Sequence, residues 1–361
     1  MKFGLFNLMT QLDSSVAPRE IICDTVSMVQ LADEVGFDIA WFAEHHFSNY
    51  SICPSPLVMA AHCAGLTKHI RLGAAVLVLP LYNPLRMVQE IGLLDVASDG
   101  RAVIGIGSGY QRYEFERFGL ELDEKGAMFH EMWDILEMAL TNGEVEYHGR
   151  HYDLPPSPVA MRPLQQPMPE LFVTGMAPDV LQRTARGGHT PFITGGWRGL
   201  GLLRELRKVI ESAYREAGFS AEPLPLAVQQ YVHVTDSKEE ARDLAERVRY
   251  IGRVVTAMRM GVPGLDGPFI QAGPIPEEPP LDTFQANAVI GSPEHCAERI
   301  AEEIRLLEPR HYSCFMQIAS LDGRRARRSL ERFAGEVIPL LERELGPLAG
   351  LNEAPLGLAG K

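Results

Sequence analysis

Two imidazoles and a carboxylate stand together at Glu44-His45-His46, a combination that can move protons near neutral pH. They directly follow Asp38–Phe42, a short run that predicts a β-strand. In a (β/α)8 barrel, residues just past the carboxyl end of a strand face the catalytic mouth. A structural histidine pair, with one ring bonded to a backbone carbonyl, is the alternative. The position after a strand favours His45 and His46 as general acid or base groups.

A glycine-rich segment, Gly105-Ile106-Gly107-Ser108-Gly109-Tyr110, ends another strand candidate. Glycine lets the backbone approach a ligand closely and can turn N–H groups toward a phosphate. The segment resembles a dinucleotide fingerprint, but it lacks the third glycine interval and follows the fourth strand instead of the first. Ligand contact and a plain tight turn explain these glycines about equally well.

Two further strand ends have small residues. In Gly73-Ala74-Ala75-Val76 they leave room for a flat group against the backbone. Val173-Thr174-Gly175-Met176-Ala177-Pro178 precedes a helix whose free N–H groups could hold a phosphate. Core packing and an ordinary strand-to-helix turn explain both segments as well.

Strand and helix patterns alternate along most of the chain, which predicts parallel βαβ units. The eight strand candidates are Lys2–Leu8, Asp38–Phe42, Ile70–Leu79, Ala102–Ile106, Glu170–Thr174, His189–Thr194, Leu224–Val234 and His311–Ile318. The nine helix candidates are Arg19–Val35, Pro56–Thr67, Pro84–Ser98, Ala127–Leu140, Pro178–Arg186, Leu200–Ala217, Lys238–Met258, Pro293–Leu307 and Arg324–Glu344. Eight strands favour an α/β fold of the closed (β/α)8 TIM-barrel type over an open doubly wound sheet.

Two stretches interrupt this alternation. Residues 143–169 include a candidate small hairpin at Tyr147–Tyr152, and residues 262–286 are rich in glycine and proline. A long loop in a compact domain is usually functional or disordered, so we predict a mobile lid at 262–286. We expect one barrel domain over residues 1–345 and a frayed tail over 346–361.

Composition excludes several classes of protein. The net charge of −13 argues against nucleic-acid binding, which depends on Lys and Arg contacts to phosphates. Five cysteines form no CxxC pair or metal-ligand cluster, which is typical of reduced thiols and predicts no metal site. No signal peptide is evident, and no apolar stretch reaches the ~20 residues that cross a bilayer. We expect a soluble, cytoplasmic protein.

Together these segments resemble the bacterial luciferase-like flavin-dependent monooxygenases. The resemblance is dense over residues 1–140 and thinner afterwards. It rests on Gly36-Phe37-Asp38, Trp41-x-x-Glu44-His45-His46-Phe47, Ile70-Arg71-Leu72-Gly73-Ala74-Ala75-Val76-x-x-Leu79-Pro80, Asn83-Pro84-x-Arg86, Leu94-Asp95, Ser98-x-Gly100-Arg101, Gly105-x-Gly107-x-Gly109, Phe118-Gly119 and Gly291-Ser292-Pro293-Glu294.

The resemblance implies a TIM barrel that takes reduced FMN from a separate flavin reductase. It also implies a flavin C4a-peroxide formed with O2 that oxidises a small organic substrate, and a homodimer. His45 would serve catalysis. The Glu44 backbone and a non-proline cis peptide between Ala74 and Ala75 would lie against the flavin ring.

The other residues implied at the site fall into two groups. Because they lie near strand ends, Trp197, Phe6, Phe42, Phe47 and Phe192 are expected to line an apolar pocket, and burial in the core explains some of them equally well. The remaining flavin-binding candidates follow from the strand ends near the phosphate, and they are Gly107, Ser108, Gly109, Tyr110, Thr174, Gly175 and Met176.

Three departures from the family pattern bear on the cofactor. Ser108 and Gly126 stand where luciferases have arginines, and Gly175-Met176 replaces a Glu-Ser pair. Lys125 or Arg112 could compensate. Losing two charge-assisted bonds, each worth roughly 1.5–3 kcal/mol, predicts loosely held FMN. An F420-dependent oxidoreductase of the same superfamily and a flavin-binding protein without turnover are the alternative functions.

Overall fold

Strands and helices alternate through the computed structural model, which describes residues 1–220, 223–261 and 264–352. In chain order its strands are β1 Lys2–Asn7, β2 Ile39–Phe42, β3 Arg71–Ala74, β4 Leu77–Val78, β5 Ala102–Gly107, β6 Glu144–His148, β7 Asp153–Pro158, β8 Leu171–Val173, β9 Thr190–Thr194, β10 Ala227–Val234, β11 Leu265–Asp266, β12 Phe269–Ile270, β13 Val289–Gly291 and β14 His311–Phe315.

Its helices are α1 Pro18–Glu34, α2 Pro56–Ala64, α3 Pro84–Ala97, α4 Arg112–Arg117, α5 Lys125–Asn142, α6 Pro178–Arg186, α7 Gly199–Glu216, α8 Lys238–Arg259, α9 Leu281–Asn287, α10 Pro293–Leu307, α11 Gly323–Arg332 and α12 Ile338–Leu345.

The parallel strands close into a barrel. β1 pairs with β2 on one side and β14 on the other, and the ring continues through β3, β5, β8, β9 and β10 back to β14. All eight predicted strands take part, so the (β/α)8 prediction is confirmed. A closed ring leaves no open edge among these strands, which excludes the doubly wound sheet.

Aromatic side chains fill the lower part of the barrel. Trp41 is fully buried and packs against Phe172 and Phe192. Its indole Nε1 donates to His311 Nε2 at 2.9 Å. Burial lowers the pKa of His311 to about 3, so its ring is neutral and can accept this bond. The filled interior leaves the mouth, at the carboxyl ends of the strands, as the place for a ligand.

Arg101 and Asp95, which belong to the segments that carry the family resemblance, hold helices onto the barrel. The guanidinium of Arg101 donates to the carbonyl oxygens of Ala64, Ile70 and Ser98 at 2.7–2.9 Å. The buried carboxylate of Asp95 accepts from the backbone and side chain of Gln165. These residues fix the α3–β5 region and do not contribute side chains to the mouth.

The predicted hairpin is present as the antiparallel pair β6–β7. The segment predicted as a lid contains the short hairpin β11–β12 and helix α9, while residues 262 and 263 lie outside the described part. The lid's mobility remains a prediction.

The C-terminal region differs from expectation in two ways. The helix expected over Arg324–Glu344 is divided into α11 and α12 by a π-helical turn at Phe333–Val337. Pro339 lacks the N–H that a continuous α-helix would use there. Residues 346–352 are not frayed, because the Met1 amino group donates to the Leu348 carbonyl at 2.7 Å and Leu348 is buried. Residues 353–361 of the predicted tail lie outside the described residues.

Candidate active site

The carboxylate of Glu44 is buried at the mouth and takes part in three hydrogen bonds. It accepts from Val78 N at 3.1 Å and from Tyr82 Oη at 2.7 Å, and it lies 2.9 Å from His46 Nε2. Burial raises the pKa of Glu44, whereas His46 and Tyr82 act in the opposite direction. Glu44 therefore ties the His46 ring to the β3–α3 connection.

His45 is held by a second buried carboxylate. Glu114, only 1% exposed on helix α4, places Oε1 3.1 Å from His45 Nδ1. The same oxygen accepts from the backbone N–H of His46 at 2.8 Å. One carboxylate oxygen thus orients both the His45 side chain and the backbone that follows it.

The tautomer of His45 follows from these contacts. Gln111 Nε2 also lies 2.9 Å from His45 Nδ1, and one ring nitrogen cannot donate and accept at once. A carboxylate group accepts hydrogen bonds, so the proton belongs on Nδ1 and the Gln111 amide presents its oxygen to the ring. In the opposite orientation of the amide, that oxygen would be buried without a partner among the described residues. Nε2 of His45 is then unprotonated, and no hydrogen-bond partner for it is found in the described part of the chain.

Tyrosines line the wall beside His45. The ring of Tyr50 lies 4.5 Å from that of His45, and the ring of Tyr110 lies 6.1 Å from it. Burial raises the pKa of Tyr50, Tyr110 and Tyr231, so all three phenols stay protonated. Tyr231 packs against Phe315, whose ring lies 5.4 Å from that of Phe6. The wall is therefore aromatic and presents hydroxyl groups near the imidazole.

The glycine segment faces the end of β8 across the mouth. Thr174 N donates to Ile106 O at 2.9 Å. The Thr174 hydroxyl packs so closely on Gly107 that a Cβ atom at this position would lie 2.7 Å from it. Gly109 has φ +74°, and its carbonyl accepts from Lys125 Nζ at 2.9 Å. Burial lowers the pKa of Lys125. A cation therefore stands at the turn where the sequence predicted phosphate contacts.

Arg112, the other candidate replacement for the missing arginines, does not reach this turn. Its guanidinium is 3.3 Å from Asp123 Oδ1 on the exposed surface. Ser108, Gly109 and Tyr110 are half-buried at the mouth, and so are Gly175 and Met176. The structure thus brings the predicted phosphate candidates together with Lys125.

The non-proline cis peptide is present, but its predicted position was wrong by one residue. It joins Ala75 and Val76, not Ala74 and Ala75. Ala75 N donates to Phe42 O at 2.9 Å, so the hydrogen bonding between β3 and β2 extends to Ala75. The chain leaves β2 after this residue. Ala75 and Val76 are both half-exposed at the mouth, and Ala74 is buried.

The residues predicted for an apolar pocket separate into two groups. Phe6 lies at the mouth, whereas Phe42 and Phe192 are buried in the core. The indole of Trp197 packs against Phe284 of α9, 5.2 Å between centroids, and against Gly252 of α8. Trp197 therefore supports the segment that follows the hairpin β11–β12, and its contacts are not with the Glu44–His46 segment.

Sequence reasoning missed three residues of this site, Glu114, Gln111 and Tyr82. Glu114 lies on a helix of six residues that is too short to show a clear periodicity. A carboxylate five residues after the last glycine of the segment was the available signal. Within the described ranges there is no group of three His, Cys, Asp or Glu side chains that could hold a metal ion. Among the same residues, no helix is both long and apolar enough to span a membrane.

Comparisons with known proteins agree with this fold and show the family. Residues 1–307 match the family model described as luciferase-like monooxygenase. An uncharacterized protein, y4vJ, from Sinorhizobium fredii is 35% identical over 96% of this chain and 99% of its own length. The oxygenase component of a flavin-dependent trigonelline monooxygenase from Acinetobacter baylyi is 28% identical over 94% of this chain and 95% of its own.

Solved structures share the fold at lower identity. Monooxygenase RslO1 from Streptomyces bottropensis superposes with a TM-score of 0.78 at 22% identity, covering 94% of this chain and 99% of its own. The oxygenating constituent of 3,6-diketocamphane monooxygenase from Pseudomonas putida, in complex with FMN, has a TM-score of 0.74 at 22% identity over 94% and 98%. An F420-dependent secondary alcohol dehydrogenase has a TM-score of 0.73 at 18% over the same shares. These structures support the barrel alone, whereas the family match extends through the Glu44–His46 site, and the chain belongs to the luciferase-like monooxygenase family.

Proposed function

We propose that this chain is the oxygenase component of an FMN-dependent monooxygenase, with His45 as its proton-transfer residue. The observation that carries the proposal is the pairing of His45 with Glu114. A buried carboxylate holds Nδ1 at 3.1 Å, and Nε2 has no partner among the described residues. An imidazole oriented in this way can take a proton from a substrate or return one to it.

His46 has a different role in the proposal. Its Nε2 is engaged by the Glu44 carboxylate, which is itself anchored to Val78 N and Tyr82. Because that ring nitrogen is occupied, His46 is less available than His45 for proton transfer. We infer that it holds the strand-end loop against the half-exposed Ala75–Val76 segment.

The residues at the mouth fit a flat cofactor with a phosphate. Ala75, Val76 and Thr174 are half-exposed and follow the two strands on either side of β5, so they offer a surface for a planar ring. Lys125 at the glycine turn would hold the phosphate in place of the guanidinium groups that Ser108 and Gly126 do not supply. Bound reduced FMN would supply the electrons that convert O2 to one oxygen atom in the product and one water.

In this proposal the hairpin β11–β12 excludes water from the loop that carries His45 and His46. Asn49, three residues after His46, is 1% exposed and bonds to the hairpin twice. Its N donates to Pro268 O at 2.8 Å, and its Oδ1 accepts from Ile270 N at 3.0 Å. The hairpin is thus fastened to the loop that carries the histidines, where a cover would protect reactive flavin species from water.

Two partners belong to the proposal. A single lysine gives FMN one charge-assisted contact, which suits an enzyme that takes reduced flavin from a separate reductase in the cytoplasm and releases it oxidised. A second copy of the chain would cover the side-by-side helices α2 and α3. These expose Val58 at 67%, Leu93 at 53% and Val96 at 39%.

The test is oxygen uptake with photoreduced FMN and a panel of an aldehyde, a cyclic ketone and an aromatic carboxylate, with products identified by mass. We expect one oxygen atom to enter at least one of them. His45→Ala should lower product formation by about 10²–10⁴-fold, the usual weight of a general acid or base. His69→Ala, at an exposed position away from the mouth, is the matched control. Unchanged turnover in His45→Ala would remove His45 from the mechanism.

Each alternative function has its own outcome in this assay. Reduction of F420 by an alcohol, with no oxygenated product from reduced FMN and O2, would indicate the F420-dependent oxidoreductase. Binding of oxidised FMN with no oxygenated product from any panel member would support a flavin-binding protein without turnover.

A further inference from the structure

Arg259 places a guanidinium beside the aromatic residues of the mouth. It is the last residue of α8 and is exposed. Its Cζ lies 5.4 Å from the centroid of the Tyr110 ring, within the range of a cation–π contact. No ion pair or hydrogen bond of its side chain is found among residues 1–220, 223–261 and 264–352. Other arginines of the same helix are paired, as Arg253 is with Glu278 and Arg247 with Asp243.

The position of Arg259 is beside the proposed reaction centre. The Tyr110 ring lies under the guanidinium, and the rings of Tyr110 and Tyr50 both lie beside that of His45. The positive charge acts on both phenols, lowering the pKa of each against the larger effect of burial. The carboxylate of Glu114, which also acts on Tyr110, is taken by His45 and the backbone of His46.

We propose that Arg259 binds the anionic group of a small aromatic substrate, most simply a carboxylate. The inference rests on the proposed function and names its substrate class. Arg pairs with planar carboxylates through two parallel bonds, and its planar group stays charged at any working pH. The ring of the substrate lies against the aromatic wall of Tyr50, Tyr110 and Tyr231. The pairing brings that ring toward His45.

The net charge of the chain explains why a cation at the rim would favour binding of an anion. The protein carries a net charge of −13, which repels an anionic substrate at long range. A cation at the rim offsets that repulsion where the substrate enters.

The test compares benzoate with benzamide, its neutral near-isostere, by isothermal titration of the flavin-free full-length chain. We expect benzoate to bind at least about tenfold more tightly, a difference within the range of one charge-assisted contact. Arg259→Met should abolish that preference. Arg242→Met removes the same charge from the exposed outer part of α8 and should retain it. Equal binding of both probes by the unmodified chain, or equal losses in the two variants, would overturn the proposal.

Two further measurements make the proposal specific. Cyclohexanecarboxylate has the same charge without a planar ring, and binding as tight as that of benzoate would overturn the aromatic part. Arg259→Met should leave the preference for FMN over riboflavin unchanged. Loss of that preference would assign Arg259 to the cofactor phosphate and refute the substrate assignment. A benzoate preference in a chain that gives no oxygenated product with reduced FMN and O2 would refute the proposed function alone.

Discussion

Glu114 Oε1 lies 3.1 Å from His45 Nδ1, and this contact joins a helix of six residues to the loop after the second strand. The carboxylate is buried, so its charge acts on the imidazole with little screening by water. It also removes the rotational freedom of the ring. The contact gives the histidine a defined orientation and leaves its Nε2 without a hydrogen-bond partner among the residues that the structure describes.

Replacing Glu114 by Gln should therefore slow catalysis without preventing cofactor binding. Gln retains an acceptor for His46 N–H but not the negative charge that favours a proton on Nδ1. We expect about a tenfold decrease in kcat, which corresponds to roughly 1.4 kcal/mol, and a FMN Kd within twofold of the original. Stopped-flow turnover and a fluorescence titration of FMN measure the two quantities. Glu114→Asp should recover part of the rate, and a Gln variant with full kcat would contradict the positioning role.

Lys125→Met should weaken FMN binding more than riboflavin binding. The methionine keeps the length of the side chain and removes the charge that stands at the Gly109 carbonyl. One charge-assisted bond predicts about a tenfold increase in the Kd of FMN and no change for riboflavin. Fluorescence quenching of each flavin gives the comparison, with Lys208→Met on the exposed face of α7 as control. Equal weakening of both flavins would mean that Lys125 does not contact the phosphate.

Asn49→Ala should release the hairpin β11–β12 from the histidine loop. The variant loses the side-chain acceptor for Ile270 N and the 2.7 Å bonds to Gln11 O and Tyr250 Oη. We expect limited proteolysis within 264–280 to become several times faster than in the unmodified chain, as for a segment with lower local stability. Mass spectrometry of the first cleavage products locates the cut. Cleavage rates that match between the two proteins, with and without FMN, would argue against a lid held by Asn49.

The stability of the C-terminal half should depend on Glu240 in a predictable pH window. Burial alone would raise the pKa of Glu240, but hydrogen bonds from Thr235 and Arg325 lower it to about 2. Its contribution is therefore complete above the ordinary value of 4.5 and is lost as pH falls from there toward 2.

For Glu240→Gln we expect a loss of about 1–2 kcal/mol in the free energy of unfolding at pH 7. This value already allows for screening of the ion pair by solvent around the partly exposed Arg325. The deficit should shrink below pH 4. Urea unfolding at several pH values measures it, and the exposed neighbour Glu239→Gln is the control. A deficit that is constant between pH 7 and pH 3 would show that the charge is not the cause.

Much of the fold was predictable because it depends on local patterns. Strands buried on both faces appear as apolar runs, and helices begin at residues such as Ser292, whose hydroxyl accepts from His295 N as its position before Pro293 indicates. Gly100, just after the end of α3, has φ +75°, the left-handed conformation in which glycine commonly ends a helix. Such signals lie within a few residues of the element they define.

The sequence by itself determined the barrel, the family and the position of Glu44-His45-His46 at a strand end. Only the tertiary structure decided which partner each of these side chains has. Glu114 is 69 positions from His45, and Lys125 reaches Gly109 across 16. No periodicity links such residues, because their proximity results from closing eight strands into a ring. The assignment of His45 to catalysis, of His46 to anchoring and of Arg259 to an anionic substrate therefore rests on contacts that the barrel creates.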